Sequence, residues 1–290
     1  MTTVQKGYAK INLHLDITGI MAGGYHSVNT VMQSVSLCDT VTLSLRNDTQ
    51  YALGCNVDGV PLDGSNLAIK AAKAFEAAVG RQLGADIYID KSIPMAGGLA
   101  GGSADAAAVL RGLNELCGSP LDLNALCRIG GSLGADIPFC IVGGATFADG
   151  KGDILHPFPS MPDCTVVIAC GGEGVSTPVA YRSLDELYGG FTPDSGYTPK
   201  SLTSLYSAAE ANDLEGIVSN MFNIFEAPIL SMRPVAAKLK QTMLSCGALG
   251  AMMSGSGPSV FSIFNSAENA QHACDEIRKM GVTPHICKPI

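Results

Sequence analysis

The chain has 290 residues, of which 47% are hydrophobic and 15% are charged, and its formal net charge is −8. This length suggests two domains of about 150 residues each, and the composition indicates ordered, globular domains. The negative charge argues against a surface for nucleic acid or for anionic membranes, so an anionic ligand requires a local site made of backbone N–H groups and a few lysines.

Repeating patterns of apolar residues predict the secondary structure along the chain. Alternation and short apolar runs predict strands, whereas helical spacing of apolar residues predicts helices. In chain order, the predicted elements are strands near 3–16 and 35–45, a helix over 67–79, a strand over 85–91, helices over 103–116 and 121–132, strands near 145–148 and 166–169, helices over 202–211 and 235–246, a strand near 260–264 and a helix over 267–280. This interleaved order predicts mixed α+β domains rather than a regular parallel array.

A proline-rich segment predicts the boundary between the two domains. Three prolines occur between His156 and Pro162, and proline does not fit inside a helix or a central strand. The predicted domains are therefore residues 1–156 and residues 157–290. A second irregular stretch, 186–200, is predicted to be a surface loop.

The N-terminal strand carries polar side chains on one face. Alternation places Lys10, Asn12 and His14 on one side of the strand and Ile11 and Leu13 on the other. A lysine at such a position either lies on a solvated face or is a charge held rigidly at a site. The strand by itself leaves both interpretations open.

The segment from Pro94 to Ala107 is a loop with four glycines that leads directly into an alanine-rich helix. A strand, a glycine loop and a helix N-terminus together aim several N–H groups and the positive end of the helix dipole at one spot, which predicts a cradle for an oligophosphate. The doublets Gly97-Gly98 and Gly101-Gly102 match neither the P-loop, which needs a lysine, nor the dinucleotide fingerprint. The alternative is a tight turn with close helix packing.

Two further segments combine turn-forming residues with polar side chains. Asp136 follows a predicted helix in Gly134-Ala-Asp-Ile-Pro138, where a carboxylate serves either a reaction or an ordinary turn. Met253-Ser-Gly-Ser-Gly-Pro-Ser-Val260 is a second turn rich in glycine and serine. It is either part of a site or a plain hairpin loop.

The ten cysteines and five histidines form no recognisable disulfide or metal pattern. No Cys-x-x-Cys pair is present and the first residues lack an apolar signal region, so free thiols in a reducing cytoplasm are expected. No histidine pairs with a cysteine at zinc-ligand spacing, and no metal ligand is predicted among the side chains. The uncharged stretch 241–267 is interrupted by glycines and a proline, which favours two short strands around a loop over a membrane helix.

Together these segments resemble the GHMP small-molecule kinases over almost the whole chain. The family pattern is an N-terminal segment with a lysine, a Pro-x-x-x-Gly-Leu-x-x-Gly-Ser phosphate loop and a late Gly-x-Gly turn. The resemblance is greatest to kinases of a cytidylyl-tagged sugar alcohol in the non-mevalonate isoprenoid pathway. The segments that carry it are Ala9-Lys-Ile-Asn-Leu13, Gly24-Tyr-His-Ser27, Gly134-Ala-Asp-Ile-Pro138 and Thr177-Pro-Val-Ala-Tyr181. It implies a two-domain α+β fold with an N-terminal nucleotide-binding domain, a C-terminal ferredoxin-like domain and a cleft between them.

The resemblance also implies the chemistry and the residues that perform it. ATP is the implied co-substrate, with Mg²⁺, and a hydroxyl of the alcohol is the acceptor. Asp136 is the implied base and Lys10 the group that orients it and stabilises developing charge. The implied substrate-binding residues are Asn12, Tyr25, His26 and Tyr181, with the two tyrosines on either face of the cytosine. The implied ATP-binding residues are Asn66 and Lys91 at the adenine and, around the phosphates, Pro94, Met95, Ala96, Gly97, Gly98, Leu99, Ala100, Gly101, Gly102, Ser103 and Ala104.

The sequence departs from the family pattern at three places. Gly7-Tyr8 stands in place of a common proline, Ala100 in place of a glycine and Ala104 in place of a serine. We expect Ala100 to have a negative φ, because alanine fits poorly elsewhere, and Ser103 to remain as the hydroxyl for phosphate or metal. A homoserine- or mevalonate-type kinase, a relative that phosphorylates and then decarboxylates, and a catalytically silent nucleotide-binding regulator stay open, as does the oligomeric state.

Overall fold

The structure is a computed structural model that describes residues 1–290, apart from the side chain of Pro193. Contacts between Cα atoms divide the chain into two units, each made of several segments. Unit 1 comprises Met1–Ala9, Cys38–Met95 and Ala100–Gly143, and unit 2 comprises Lys10–Leu37, Ala96–Leu99 and Gly144–Ile290. The boundary between residues 156 and 157 stays a prediction.

The chain interleaves strands and helices, as the sequence predicts. The strands are β1 (Thr2–Ile20), β2 (His26–Leu45), β3 (Tyr51–Cys55), β4 (Ala85–Asp90), β5 (Ala145–Asp149), β6 (Ile154–Pro157), β7 (Thr165–Cys170), β8 (Phe222–Asn223), β9 (Gly250–Met253), β10 (Ser259–Phe264) and β11 (Pro284–Cys287). The helices are α1 (Leu67–Val79), α2 (Gly101–Leu116), α3 (Leu123–Leu133), α4 (Ile137–Val142), α5 (Thr177–Tyr188), α6 (Thr203–Glu210), α7 (Leu214–Ser219), α8 (Glu226–Met232), α9 (Pro234–Ser245) and α10 (Ala267–Lys279), with a 3₁₀ turn at Pro193–Ser195.

Unit 1 combines part of a sheet with the helices α1 to α4. Strand β4 runs antiparallel to β2, with Thr40 opposite Asp90, and parallel to β3 on its other side. Its residues alternate between buried and exposed, because one face packs on the core and the other does not. The alanines of α2 are fully buried and allow α1 to pack closely on it.

Unit 2 contains a four-stranded antiparallel sheet with the order β11-β7-β10-β9. In chain order, β7, α9, β9, β10, α10 and β11 form the βαββαβ arrangement of a ferredoxin-like domain, with α5 to α8 inserted between β7 and α9. Helices α9 and α10 pack on the sheet through a buried cluster that includes Leu239, Phe264 and Ile277. The predicted ferredoxin-like domain is therefore confirmed, as are the two short strands around a loop.

A second apolar cluster in unit 2 supports the C-terminal part of β1. It joins Leu15 and Ile17 of β1 to Leu184 of α5 and to Phe225 and Ile229 near α8. Strand β8 pairs in parallel with β1, and β5 pairs antiparallel with β2. The cluster holds α5 in place, and with it the side chains that project from this helix.

One local prediction differs from the structure, and two further elements were not predicted from the sequence. The apolar segment after Asp136 is the short helix α4, which Pro138 starts well because its fixed φ suits the first helical turn. Helix α5 continues to Tyr188, inside the stretch predicted as a loop, and ends where Gly189 takes a left-handed conformation. Strand β6 includes Pro157, which β6 accommodates because it pairs only with β5.

Candidate active site

The glycine loop has a strained backbone. Ala96, Gly98 and Ala100 have φ values of +52°, +78° and +59°. The prediction of a negative φ at Ala100 is therefore wrong. A left-handed conformation costs a residue with a Cβ about 1–2 kcal/mol. Two alanines stay in this conformation only because the surrounding structure enforces it, as is common in loops that grip a ligand.

Helix α2 begins without a capping side chain. Its N-cap is Ala100, which offers no side-chain oxygen, and Ala104 is the first residue whose N–H bonds back, to the Ala100 carbonyl at 2.8 Å. None of the described hydrogen bonds uses the N–H groups of Gly101, Gly102 or Ser103. Three free N–H groups at the positive end of a 16-residue helix form a natural binding site for an anion.

Two departures from the family pattern meet in the structure. A Cβ built on Gly7 would lie 2.7 Å from the Ala104 carbonyl oxygen and 3.3 Å from the Ala104 Cβ. The backbone of β1 thus passes directly over the first turn of α2. A glycine at position 7 and a small residue at position 104 suit each other, because both keep this approach free of side chains.

The late glycine-serine turn is a hairpin between β9 and β10, and it packs against Gly98. The Ser254 hydroxyl donates to the Gly98 carbonyl at 2.9 Å, and the Ser259 N–H donates to the Gly97 carbonyl at 3.1 Å. A Cβ on Gly98 would lie only 2.2 Å from the Ser254 carbonyl oxygen, so this close approach requires glycine. The hairpin therefore supports the middle of the phosphate loop.

Lys10 is a buried lysine whose ammonium has one described partner. The residue is only 4% exposed, and its Nζ donates to Asn12 Oδ1 at 2.6 Å. The same oxygen accepts the N–H of Gly255 at 2.9 Å, and Asn12 Nδ2 donates to the Thr30 hydroxyl at 2.8 Å. Asn12 is a neutral partner, so the positive charge of Lys10 remains uncompensated. Buried charges are normally paired, so this position is suited to an anionic ligand, and contact between Lys10 and a ligand stays a prediction.

Asn223, which the sequence analysis missed, holds the hairpin in place through hydrogen bonds to its backbone. Its amide nitrogen donates to the carbonyls of Met253 at 2.7 Å and Gly255 at 2.8 Å, and its oxygen accepts the N–H of Phe225 at 3.0 Å. This buried side chain fixes Gly255, whose N–H helps to hold Asn12 beside Lys10. The only sequence signal for Asn223 is weak, because it is just a polar residue in the apolar stretch 221–225.

Asp136 lies in unit 1 at the start of α4. Its side chain is half-buried and does not cap the helix, and its carboxylate accepts none of the described hydrogen bonds. It is therefore available to a ligand or a substrate hydroxyl. Lys10 belongs to unit 2, and the pairing of Lys10 with Asp136 stays a prediction.

The two residues predicted at the adenine have structural partners. Asn66 caps α1, because its Oδ1 accepts the Ala68 N–H at 2.8 Å while its Nδ2 donates to the Pro61 carbonyl at 2.7 Å. The ammonium of Lys91 forms ion pairs with the carboxylates of Asp39 and Asp105. Contact between these two residues and adenine stays a prediction.

Three of the four predicted substrate-binding residues are aromatic, and the structure brings two of them together. The rings of His26 and Tyr181 lie 4.6 Å apart at an interplanar angle of 33°, and Tyr181 meets Phe225 edge-on. Tyr25 is 58% exposed and lies under the ammonium of Lys151, 4.0 Å from the ring centre. Closure of Tyr25 on a base stays a prediction.

Asp185 fixes the orientation of the His26 ring. His26 Nε2 lies 2.7 Å from Asp185 Oδ1, and a carboxylate only accepts, so Nε2 carries the proton. The described contacts leave Nδ1 of this ring without a partner. The ring thus offers a nitrogen without a described partner beside Tyr181, which suits recognition of the polar edge of a base.

Two negative findings concern metal sites and membrane-spanning helices. Among the residues that the structure describes, no three His, Cys, Asp or Glu side chains are grouped so as to hold a metal ion. Within the same residues, no helix has both the length and the apolar character needed to cross a bilayer.

Comparison with known proteins identifies the family. The family model for the GHMP kinases N terminal domain matches residues 66–144, and the model for the GHMP kinases C terminal matches residues 205–283. The 4-diphosphocytidyl-2-C-methyl-D-erythritol kinase of Exiguobacterium sibiricum is 41% identical over 278 residues, which cover 96% of this chain and 94% of the relative. The protein of that name from a Synechococcus species is 40% identical, with 93% and 87% covered.

Solved structures agree with this assignment. The crystal structure of a 4-(cytidine 5'-diphospho)-2C-methyl-D-erythritol kinase matches with a TM-score of 0.81 at 28% identity, covering 99% of both chains. The homoserine kinase of Cytophaga hutchinsonii matches with a TM-score of 0.73 at 21% identity, over 99% of this chain and 94% of that one, and shares the fold. On the family models and the full-length identity, this chain belongs to the GHMP kinase family.

Proposed function

We propose that this protein transfers the γ-phosphoryl group of ATP to a hydroxyl of 4-diphosphocytidyl-2-C-methyl-D-erythritol, in the non-mevalonate route to isoprenoid precursors. The observation that supports kinase chemistry most directly is Lys10, a buried ammonium beside the glycine hairpin with only a neutral partner. Burial of such a charge is costly, and a phosphoryl group of the substrate would compensate it. Relatives of that name at about 40% identity support the choice of substrate.

The proposed reaction divides the work between Asp136 and Lys10. An alcohol is a weak nucleophile, so attack on the γ-phosphorus is helped by a carboxylate that accepts its proton. The free carboxylate of Asp136 is suited to this role. Lys10 would orient the reacting groups and stabilise the charge that spreads over the phosphoryl oxygens in the transition state.

The phosphates of ATP would lie at the N-terminus of α2 and along the glycine loop. The free N–H groups of Gly101, Gly102 and Ser103 provide donors, and the helix dipole provides a favourable potential. The close packing of Gly98 against Ser254 keeps the backbone of the loop in place.

A Mg²⁺ ion carried by ATP fits the groups present. Mg²⁺ retains several waters and is commonly bound by substrate phosphates with only one or two protein oxygens, so it needs no cluster of carboxylates. The hydroxyl of Ser103 accepts and donates none of the described side-chain hydrogen bonds, and it is the protein group that would hold the ion. The ion would supply neutralisation of the phosphate charge.

The cytidylyl group of the substrate would bind at the aromatic side chains of unit 2. Tyr181 offers a flat face, and the His26 ring beside it presents Nδ1 because Asp185 occupies Nε2. A base-binding site in addition to the ATP site is needed only by a kinase whose alcohol carries a nucleotide. Homoserine and mevalonate have no such group.

A coupled assay of ADP release with a panel of alcohols tests this proposal. The panel is the cytidylyl substrate, untagged methylerythritol, homoserine and mevalonate. We expect turnover with the cytidylyl substrate and little with the others. Equal turnover of untagged methylerythritol, or a preference for homoserine or mevalonate, would reject the substrate, and ATP binding without turnover of any alcohol would indicate a silent nucleotide-binding protein.

A further inference from the structure

Below the glycine loop, unit 1 contains a buried cluster of three charged side chains. The Lys91 side chain is 6% exposed, and its ammonium pairs with Asp39, which is fully buried, and with Asp105 Oδ2 at 2.8 Å. Two carboxylates share one ammonium, so the cluster carries a net charge of −1 when all three groups are ionised. The other oxygen of Asp105 is buried and has no described partner.

The cluster connects the two ends of the loop. Asp39 Oδ1 accepts the N–H groups of Ser92 at 2.6 Å and Ile93 at 2.8 Å, which belong to the segment that enters the loop. Lys91 reaches across to Asp105 in the second turn of α2, the helix that leaves the loop. Asp39 on β2 thus fixes the segment that enters the loop. The bond from Lys91 to Asp105 fixes the helix that leaves the loop relative to that segment.

The first residue of α2 packs directly against this cluster. A Cβ on Gly101 would lie 3.2 Å from Lys91 Nζ and 3.1 Å from Ile93 Cγ2. A shift of the Lys91 side chain would therefore move the start of the helix, where the free N–H groups lie. A Cβ on Gly102 would meet Leu67 at 3.7 Å, which is an ordinary contact.

We propose that Asp39, Lys91 and Asp105 form a clamp that holds the two ends of the glycine loop at the spacing a polyphosphate requires. All three are positioning residues for nucleotide binding, and Asp39 acts without touching the nucleotide. This clamp rests on the proposed function in one respect, which is that the loop binds the phosphates of ATP. In this proposal the clamp acts through the loop and gives no preference for adenine, which makes it an alternative to the predicted contact of Lys91 with adenine.

Burying three charged side chains costs more free energy than a purely stabilising role would justify. Apolar residues of similar volume are often at least as stabilising as a buried ionic network, and here one carboxylate oxygen stays unsatisfied. What the ionic groups supply is direction, because each bond from Asp39 and Lys91 ends on a defined atom of the loop stems.

Binding of three ligands to the Asp39→Asn variant tests the clamp. Calorimetry with ATP, GTP and inorganic tripolyphosphate measures the Kd of each, and the coupled assay measures the KM for the alcohol. We expect all three Kd values to rise together, by about 10- to 100-fold, as for binding groups displaced by about an ångström. The KM for the alcohol should stay unchanged, a separation that general destabilisation would not produce.

Asp86→Asn is the matched control. Asp86 lies on β4 and pairs with Arg46, directly after β2, at 2.6 Å, so this variant removes an ion pair between the same two parts of the sheet. Its side chain is 56% exposed. We expect ligand binding like that of the unmodified protein.

Two further variants keep the test decisive if Asp39→Asn does not fold. At a pH above the pKa of the Asp105 carboxyl, Asp105→Asn retains an oxygen for Lys91 but loses the ion pair, and should weaken all three ligands. Lys91→Arg keeps a cation between the carboxylates and should retain most of the affinity. Unchanged binding in Asp39→Asn or, where that variant is unfolded, in Asp105→Asn would overturn the proposal. A loss confined to ATP would assign Lys91 to adenine instead.

The outcomes separate the clamp from the proposed substrate. If the unmodified protein phosphorylates the cytidylyl alcohol while the variants bind nucleotides normally, the clamp is wrong and the function stands. If polyphosphate binding depends on the clamp but no cytidylyl alcohol is phosphorylated, the substrate is wrong and the clamp stands.

Discussion

The protein buries two lysines near its glycine loop, and their surroundings differ. Lys91 in unit 1 lies between two carboxylates, whereas Lys10 in unit 2 has the neutral amide of Asn12 as its described partner. The charge of Lys91 is compensated by carboxylates of the protein itself. The charge of Lys10 has no described carboxylate partner, which fits the proposals that Lys91 organises the loop and that Lys10 acts on the substrate.

The same contrast applies to the carboxylates. Both oxygens of Asp39 are occupied by Lys91 and by backbone N–H groups, whereas the carboxylate of Asp136 accepts none of the described hydrogen bonds. A polar group that is fully satisfied inside the protein has no capacity left for chemistry. An unsatisfied one in a partly open position is available for it.

The largest expected effect is that of Asp136→Asn. Loss of a positioned general base should lower kcat by about 10²- to 10⁴-fold. Affinity for ATP and for the alcohol should be retained, because the substitution preserves shape and removes only the proton acceptor. Steady-state kinetics with calorimetry measures both. Near-normal turnover would remove Asp136 from the mechanism and end its contrast with Asp39.

Lys10→Met tests the contrast between the lysines directly. Removing a donor that stabilises the transition state should lower kcat by about 10²- to 10³-fold. The free energy of unfolding should not fall, because the substitution also removes an uncompensated buried charge. Lys91→Met is the comparison variant, and it should lose about 3–5 kcal/mol by leaving two carboxylates without their cation. Equal destabilisation of both variants in urea unfolding would contradict the contrast.

Tyr181→Ala tests the proposed base-binding residues of unit 2 separately from the two lysines. Stacking on a base is worth roughly 1–3 kcal/mol. The KM for the cytidylyl substrate should therefore rise about 5- to 150-fold at about 1.4 kcal/mol per tenfold change. The KM for ATP should barely change, and Tyr181→Phe should behave like the unmodified protein because the ring is kept. An effect on ATP rather than on the alcohol would reject this site for cytosine.

The last expected effect is a pH dependence that comes from the Lys91 cluster. Burial raises the pKa of the Asp105 carboxyl to about 7, with a further contribution from the charge of Asp39, against the lowering effect of Lys91. The folded protein then binds a proton that the unfolded chain releases between its ordinary pKa of 3.8 and about 7. Stability from this group is present below that window and lost as the pH rises through it, by at most about 1.4 kcal/mol per pH unit.

Urea unfolding of Asp105→Asn between about pH 3 and about pH 8 measures this contribution, because both limits lie outside the window. The curve of stability against pH should be flatter on its falling side than that of the unmodified protein. Identical curves would show that Asp105 does not hold a proton in the folded state.

The parts of the site that the sequence could predict are local in the chain. Helix α1 has the predicted bounds Leu67–Val79, because its apolar spacing, its Asn66 cap and the left-handed Gly80 all lie within a few residues. The glycine loop was recognisable for the same reason. The backbone conformation of the loop could not be predicted in this way. Ala100 takes a positive φ that alanine disfavours, since contacts with the rest of the structure outweigh the local preference.

The partners of the polar groups could not be predicted, because they are distant in sequence. Asp39 and Lys91 are 52 residues apart, and the Gly255 N–H reaches Asn12 across 243 residues. No periodicity or motif links such positions. The sequence identified Asn12 and Lys91 as candidate site residues, but it did not predict the hydrogen bonds that their side chains form.

The sequence by itself determined the family, the glycine loop and the residue types that phosphoryl transfer needs, since each depends on a short pattern of backbone freedom and side-chain chemistry. Only the tertiary structure decided which charges the protein neutralises internally. That choice depends on burial and on partners brought together by folding, and it distinguishes Lys91, held between Asp39 and Asp105, from Lys10, whose charge is left for a ligand.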